Sequence, residues 1–243
     1  MTDFTAENIT QTPAREPYSG IIIVDKPTDW TSFDVIAKLR GVLRERKIGH
    51  CGTLDPMATG VLPVFVTRAA TKLISTYEVS DKEYIAGLRL GITTDTYDTS
   101  GNVLQSQEVS VTCEQLEAAL EAFRGNILQV PPMYSAIKVN GQRLYKIARR
   151  GEEIEREARP VTVSAAEILG GEGADWTIRF AVSKGTYVRS LCHDLGAALG
   201  CGGTMSSLRR TRVGAFDLSR ALTPAQIDEL AARDELREYF INA

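Results

Sequence analysis

An α+β fold is predicted by three observations on this 243-residue chain. Short apolar or alternating runs read as strands, and amphipathic stretches at helical spacing read as helices. The two mix without the strict strand–helix alternation of a parallel sheet. Hydrophobic residues make up 43% and charged residues 24%, so the chain can bury a sizeable core as one large or two small domains.

In chain order, residues 1–19 are polar, with Pro13 and Pro17, and predict a disordered tail. The β-branched run at 20–24 predicts a buried strand, ended by Asp25-Lys26-Pro27-Thr28-Asp29. Thr31 or Ser32 can cap a helix through Phe33, Val35, Ile36, Leu39 and Leu43. The stretch 49–60 is irregular and glycine-rich, and 61–66 is a second apolar strand. Residues 82–91 alternate as a half-buried strand, 93–102 carry turn chemistry, and 103–109 return as the partner strand. An amphipathic helix at 113–123 is ended by Gly125, and Val130-Pro131-Pro132 forces a further break in regular structure. Asn140-Gly141 marks a hairpin after 137–139. Strands at 161–169 and 176–182 precede a helix over 187–199 stopped by Gly200, and Thr223-Pro224 caps a last helix.

Several classes lose support. No apolar run approaches the ~18 residues of a membrane span, and the N-terminus lacks the basic and apolar regions of a signal peptide. The cysteines at 51, 113, 192 and 201 form no C-x-x-C pair and read as reduced thiols in a cytoplasm. His50 and His193 are the two histidines, which disfavours a His/Cys zinc site. The phosphate-loop, dinucleotide-binding and G-x-S-x-G patterns are missing.

The net charge of −3 is uneven. Residues 1–19 carry −2 and 221–243 carry −3, which leaves +2 on 20–220. Basic residues cluster at Lys138, Arg143, Lys146, Arg149 and Arg150, around Tyr145, and again at Arg209-Arg210-Thr211-Arg212 and 44–47. Each reads either as a solvated face or as a phosphate-binding surface.

The densest constellation is the twelve-residue run GHCGTLDPMATG at 49–60. Pro56 pushes Asp55 to an extended backbone, which can fix a carboxylate at the rim of a scaffold. The plainer reading makes Asp55 a helix N-cap with Pro56 at the first helical position. A Cys51 nucleophile with His50 as its base is disfavoured, because adjacent side chains of an extended chain point apart. In 184–189, KGTYVR, the plainer reading of Arg189 and Tyr187 is a surface Arg and a half-buried Tyr, and the alternative is a pair that orients a carboxylate and stacks on a base.

Read together, these motifs resemble the bacterial TruB-type tRNA pseudouridine-55 synthases from about residue 20 to 212. The resemblance rests on GIIIVDKP at 20–27, GHCGTLDPMATGVLPV at 49–64, DKEY at 81–84 and PMYSA at 132–136. It continues through RPV at 159–161, SKGTYVR at 183–189 and LRR at 208–210.

The resemblance implies a pseudouridine synthase fold, with a mixed, mostly antiparallel central sheet flanked by helices and an RNA-binding insertion. It implies isomerisation of one T-loop uridine of tRNA, after the base is flipped out, with no metal or organic cofactor. Asp55 would be the catalytic carboxylate, attacking ribose or ring. Tyr84 would stack on the base and assist proton removal, and Arg189 would keep Asp55 ionised and oriented. Tyr187 and Leu208 would line the uracil pocket, and His50 would fill the space the base vacates or stack on the refolded loop. Lys26 and Pro27 would buttress the catalytic loop.

The implied domain boundaries are a catalytic domain over 20–220, with residues 124–155 as an RNA-clamping insertion. Lys138, Arg143, Lys146, Arg149 and Arg150, with Arg209 and Arg210, would bind RNA. The insertion would be disordered or displaced without tRNA. Only 23 residues follow Arg220, an acidic helix too short for the PUA module that many family members carry. The expected enzyme is a cytoplasmic monomer. The competing expectations are a non-catalytic RNA-folding chaperone and a synthase for another RNA. Retention of Asp55, Tyr84 and Arg189 argues against the chaperone.

Overall fold

Residues 17–139 and 141–242 are described in a computed structural model. The strands and helices run β1 (Gly20–Lys26), α1 (Ser32–Leu43), β2 (Ile48–His50), β3 (Thr59–Val66), α2 (Arg68–Thr71), α3 (Ile74–Glu78) and β4 (Lys82–Leu90). Next come β5 (Ile92–Thr94), β6 (Val103–Ser106), α4 (Cys113–Glu121), β7 (Gly125–Gln129), β8 (Lys138–Val139), β9 (Gln142–Arg143) and α5 (Leu144–Ala148). The chain closes with β10 (Arg159–Glu172), β11 (Asp175–Val182), α6 (Val188–Ala198), β12 (Gly203–Val213), β13 (Phe216–Asp217) and α7 (Pro224–Ala232).

Among the described residues a nine-stranded sheet runs β1-β3-β12-β4-β11-β10-β7, with β2 added to β3 and β13 to β12. Every pairing in it is antiparallel except β3 with β12, where Arg209 and Arg210 lie opposite Thr59 and Gly60. The mixed, mostly antiparallel sheet of an α+β fold is therefore present.

Burial explains the strand sequences. Ile22 and Val24 of β1 face α1 and α7, whereas Ile21 and Ile23 pack on the other side with Val61 and Phe65. Both faces of β1 are covered, so it reads as an unbroken apolar run. Strand β4 instead alternates, with Tyr84, Ala86, Leu88 and Leu90 buried against α4 and α6. Helix α1 starts at a capping box in which Thr31 bonds Asp34 N and Asp34 answers at Thr31 N. Ser32, the other candidate cap, is buried and bonds Leu54 of the β2–β3 loop.

Three expectations change. First, β6 pairs with β5, not with β4, because β5 folds out of the segment read as pure turn. Second, β12 is a central strand that the sequence hides. Two bulges, at Met205/Ser207 and Arg210/Arg212, break its alternation, and three arginines disguise it as a surface cluster. Third, the tail expectation fails at its end. Tyr18 is buried, its ring 5.5 Å from that of Phe240 and under the Arg237 guanidinium at 4.5 Å. Residues 1–16 lie outside the described residues. The C-terminal segment is also structural, since Ile227, Leu230 and Leu236 are buried. Ile241 exchanges two backbone hydrogen bonds with Ile21 at the free edge of β1, 2.9 and 2.8 Å long. No helix among the described residues is long and apolar enough to cross a membrane.

Candidate active site

The site is built around the loop that joins β2 to β3. No helix starts at Asp55. Ala58 N donates to Asp55 O at 3.0 Å and closes a turn, which leaves the carboxylate free of a capping role. Its Oδ2 lies 3.0 Å from Arg189 Nε, and the side chain is 39% exposed to a cleft of about 840 Å³.

The loop is tied down through its backbone. Ser32 Oγ accepts from Leu54 N at 2.9 Å and donates to Leu54 O at 3.3 Å. Pro56 O accepts from Asp29 N at 2.9 Å and Lys26 Nζ at 3.1 Å. Lys26 Nζ also donates to Pro27 O and Trp30 O, so the fully buried ammonium ties two loops together. Burial lowers the Lys26 pKa to about 8, against the opposing pull of Asp55. Arg210 closes the loop ends, with Nη2 donating to Gly52 O at 2.9 Å and Nε to Val61 O at 2.8 Å. Gly60 must be glycine here, because a Cβ would stand 2.1 Å from Arg210 O and its φ is +103°.

Arg189 sits in the first turn of α6, with its side chain 7% exposed. Beyond Asp55, its Nη1 donates to Thr96 O at 3.1 Å and its Nη2 to Tyr134 O at 2.8 Å. A second carboxylate, Asp98 Oδ2, stands 3.6 Å from Nη1. Asp98 is buried, and its Oδ1 accepts from Thr96 Oγ1 at 2.8 Å, from Ser100 N at 3.0 Å and from Ser100 Oγ. One guanidinium therefore bridges a buried, well-bonded carboxylate and an exposed one. Asp98 is a site residue that sequence reasoning misses. Its signal is the turn-rich TTDTYDTSGN stretch at 93–102, which looks like any loop.

The structure brings Tyr84, Tyr187 and Leu208 to the same cleft as Asp55 and Arg189. It does not bring His50 there. His50 lies on β2 outside the cleft lining, with its Nδ1 buried and unpartnered. Burial lowers its pKa, with Arg210 acting in the same direction. Cys51 is fully buried and burial pushes its thiol pKa up, so it is ill suited to be a nucleophile.

The two arginine clusters part company. In 209–212, Arg210 is 1% exposed and cannot reach an RNA phosphate, which corrects the expectation drawn from the sequence. Arg209 is engaged by Asp25, with contacts of 3.1 and 2.8 Å. The 138–150 segment is a hairpin, β8–β9, leading into α5, on a small core of Met133, Leu144 and Ile147. Its described residues form a folded unit with a core of its own. Arg143 and Arg149 line the mouth of the cleft, with their guanidinium carbons 6.0 and 5.5 Å from the Tyr145 ring centre. Lys138 and Lys146 lie on the same unit, whereas Arg150 is tied to Glu152 at 2.6 Å. Among the described residues no group of three or more His, Cys, Asp or Glu side chains could hold a metal ion.

Comparison with known proteins places this geometry. Residues 40–188 match the model of the TruB family pseudouridylate synthase N-terminal domain. Residues 189–241 match that of the tRNA pseudouridylate synthase B C-terminal domain. The boundary falls in the first turn of α6, so the two matched regions share one cleft. The chain is 50% identical to the tRNA pseudouridine synthase B of Stutzerimonas stutzeri over 89% of its own length and 70% of the relative's. It is 47% identical to that of Clostridium kluyveri over 86% and 72%. Among solved structures it is similar to a chain of a Cbf5–Nop10–Gar1 complex, with a TM-score of 0.73 and 30% identity, covering 97% of this chain and 67% of that one. A chain of the archaeal box H/ACA Nop10–Cbf5 complex gives 0.68 and 30%, covering 91% and 58%. The loop carboxylate, its buried arginine and these matches together make the chain a member of the TruB family of pseudouridylate synthases.

Proposed function

We propose that the protein isomerises a single T-loop uridine of tRNA, position 55, to pseudouridine, with Asp55 as nucleophile. The observation that carries this reading is the half-exposed Asp55 carboxylate held 3.0 Å from a buried Arg189 in a cleft also lined by Tyr84, Tyr187 and Leu208. A cleft of about 840 Å³ has room for an extruded nucleotide.

The isomerisation breaks the N1–C1′ bond and forms a C5–C1′ bond. C5 loses a proton and N1 gains one, so no electrons enter or leave. A carboxylate that bonds transiently to ribose or ring and then departs can carry the substrate through the base rotation. Arg189 fixes the direction of attack because its other donors are anchored on Thr96 O and Tyr134 O. Tyr84, buried in the wall of the cleft, offers a stacking face to the base and a hydroxyl to assist removal of the C5 proton.

Residues 20–220 form the catalytic domain in this reading, and 124–155 the clamp on the T arm. Arg143, Arg149, Lys146 and Lys138 supply its positive surface. The enzyme acts as a monomer in the cytoplasm in this reading, and its four unpaired cysteines support that compartment. The test is incubation with an unmodified tRNA transcript, followed by chemical mapping of pseudouridine. Product at one T-loop position, lost in Asp55→Asn while tRNA binding persists, is the expected result. Absence of product from folded protein overturns the proposal.

A further inference from the structure

Two of the groups that hold Arg189, the Thr96 carbonyl and the Asp98 carboxylate, come from one turn between β5 and β6, and the residue between them is strained. Tyr97 has φ +64°, a left-handed conformation that costs a bulky aromatic residue free energy. Such a residue persists only where its surroundings over-determine it. Its backbone is tied on both sides. Tyr97 N donates to Thr94 O at 3.3 Å, and Met205 N of the central strand β12 donates to Tyr97 O at 3.0 Å. Those bonds would serve any residue here, glycine included, so they do not account for the ring.

The ring lies flat on His193 of α6, with centroids 3.9 Å apart and planes 9° from parallel. Both side chains are half-buried, and neither lines the cleft. His193 Nδ1 is buried without a hydrogen-bond partner, so that nitrogen does nothing to orient the imidazole. His193 stands four residues after Arg189, one turn along the same side of the helix. Three contacts therefore join the same turn to the same helix: Thr96 O and Asp98 Oδ2 with Arg189, and Tyr97 with His193. The first two hold the guanidinium, and the third fixes the spacing between the turn and α6. We infer that Tyr97 and His193 are a positioning pair, whose stack seats the 96–98 turn on α6 and so sets the direction in which Arg189 presents Nε to Asp55. This rests on the reading of Asp55 as the nucleophile of a uridine isomerase. The stack acts through Arg189 and lies outside the cleft, so it contributes to rate and not to RNA affinity.

The test is a double-mutant cycle on T-arm RNA, with wild type, Tyr97→Leu, His193→Leu and the pair, and with Tyr97→Phe beside them. For each, kcat, KM, RNA affinity and thermal midpoint are measured. Tyr97→Leu keeps an apolar side chain but has no flat face. It should lose about tenfold in kcat, with KM and RNA affinity within about twofold of wild type. His193→Leu should lose the same, and the pair no more than either alone, because one contact is removed in every case. Tyr97→Phe keeps the face and should recover the wild-type kcat. An unaltered kcat in Tyr97→Leu, additive losses in the pair, or a loss confined to KM overturns the inference. So does a fallen midpoint with kcat kept at permissive temperature, which assigns the stack to stability alone. If Tyr97→Leu does not fold, Tyr97→Gly, which takes a φ of +64° without strain, carries the same cycle. Wild type that makes no pseudouridine on T-arm RNA overturns the proposed function and the inference with it, whereas active wild type with indifferent variants overturns the inference alone.

Discussion

The segments 209–212 and 138–150 are alike as strings of basic residues and opposite as parts of the molecule. The first lies on β12, in the middle of the sheet, and its charges are directed inward or neutralised. Arg210 bonds the carbonyls of Gly52 in the β2–β3 loop and Val61 in β3, Arg209 bonds Asp25, and Arg212 lies 3.8 Å from Glu83. The second lies on a hairpin and short helix at the cleft mouth, where Arg143 and Arg149 contact an aromatic face in place of a carboxylate. Clustered charge in a sequence therefore says little until the partners are known. A guanidinium facing backbone carbonyls holds a loop, and one facing solvent beside an aromatic is available to phosphates.

Experiments can sharpen or break this contrast. The largest effect is expected at the group both regions serve. Asp55→Asn should remove essentially all turnover and leave RNA binding and the melting midpoint near wild type, measured by pseudouridine mapping, filter binding and calorimetry. Next is Arg210→Met. It leaves Gly52 O and Val61 O unpaired, at about 1–3 kcal/mol each, and should lower the midpoint by roughly 5–15 °C. Turnover should drop at permissive temperature, while the salt dependence of RNA binding should not change. An altered salt slope with an unchanged midpoint would place Arg210 among the RNA ligands and break the contrast. Arg149→Ala or Lys146→Ala should do the reverse. Each should reduce the salt slope by about one unit and leave stability within about 0.5 kcal/mol.

The smallest effect concerns pH. Lys26 is an interior cation whose pKa burial lowers from 10.5 to about 8. Below pH 8 both folded and unfolded chains carry its proton, and the folded state bears the burial penalty. Between about pH 8 and 10.5 the unfolded chain binds more protons, so this group makes stability rise with pH. Lys26→Met should remove that rise from the unfolding free energy measured across the window, and an unchanged slope would locate the titration elsewhere.

Much of the fold was legible because single elements obey local rules. The Thr31–Asp34 capping box, the β1 run and the alternation of β4 all state their structure in a few residues. Asp55 was legible as a residue, but its local sequence fits a helix cap equally well, so its expected role came from the resemblance alone; its contact with Arg189, 134 positions away, is a fact of the fold. Asp98 and the burial of Arg210 were not legible. Each acquires its meaning from contacts between distant segments, and their local sequences belong to turns or surfaces.

The paired backbone of Ile21 and Ile241 bears on solubility. An outer strand with free N–H and C=O groups is a template on which a second copy can add. The first strand here is apolar on both faces, which makes it the sheet margin least suited to exposure. The chain covers part of it with the backbone of Ile241. Ile241→Pro, which deletes the N–H that bonds Ile21 O, should loosen that cover and promote concentration-dependent self-association, read by light scattering, before any loss of secondary structure.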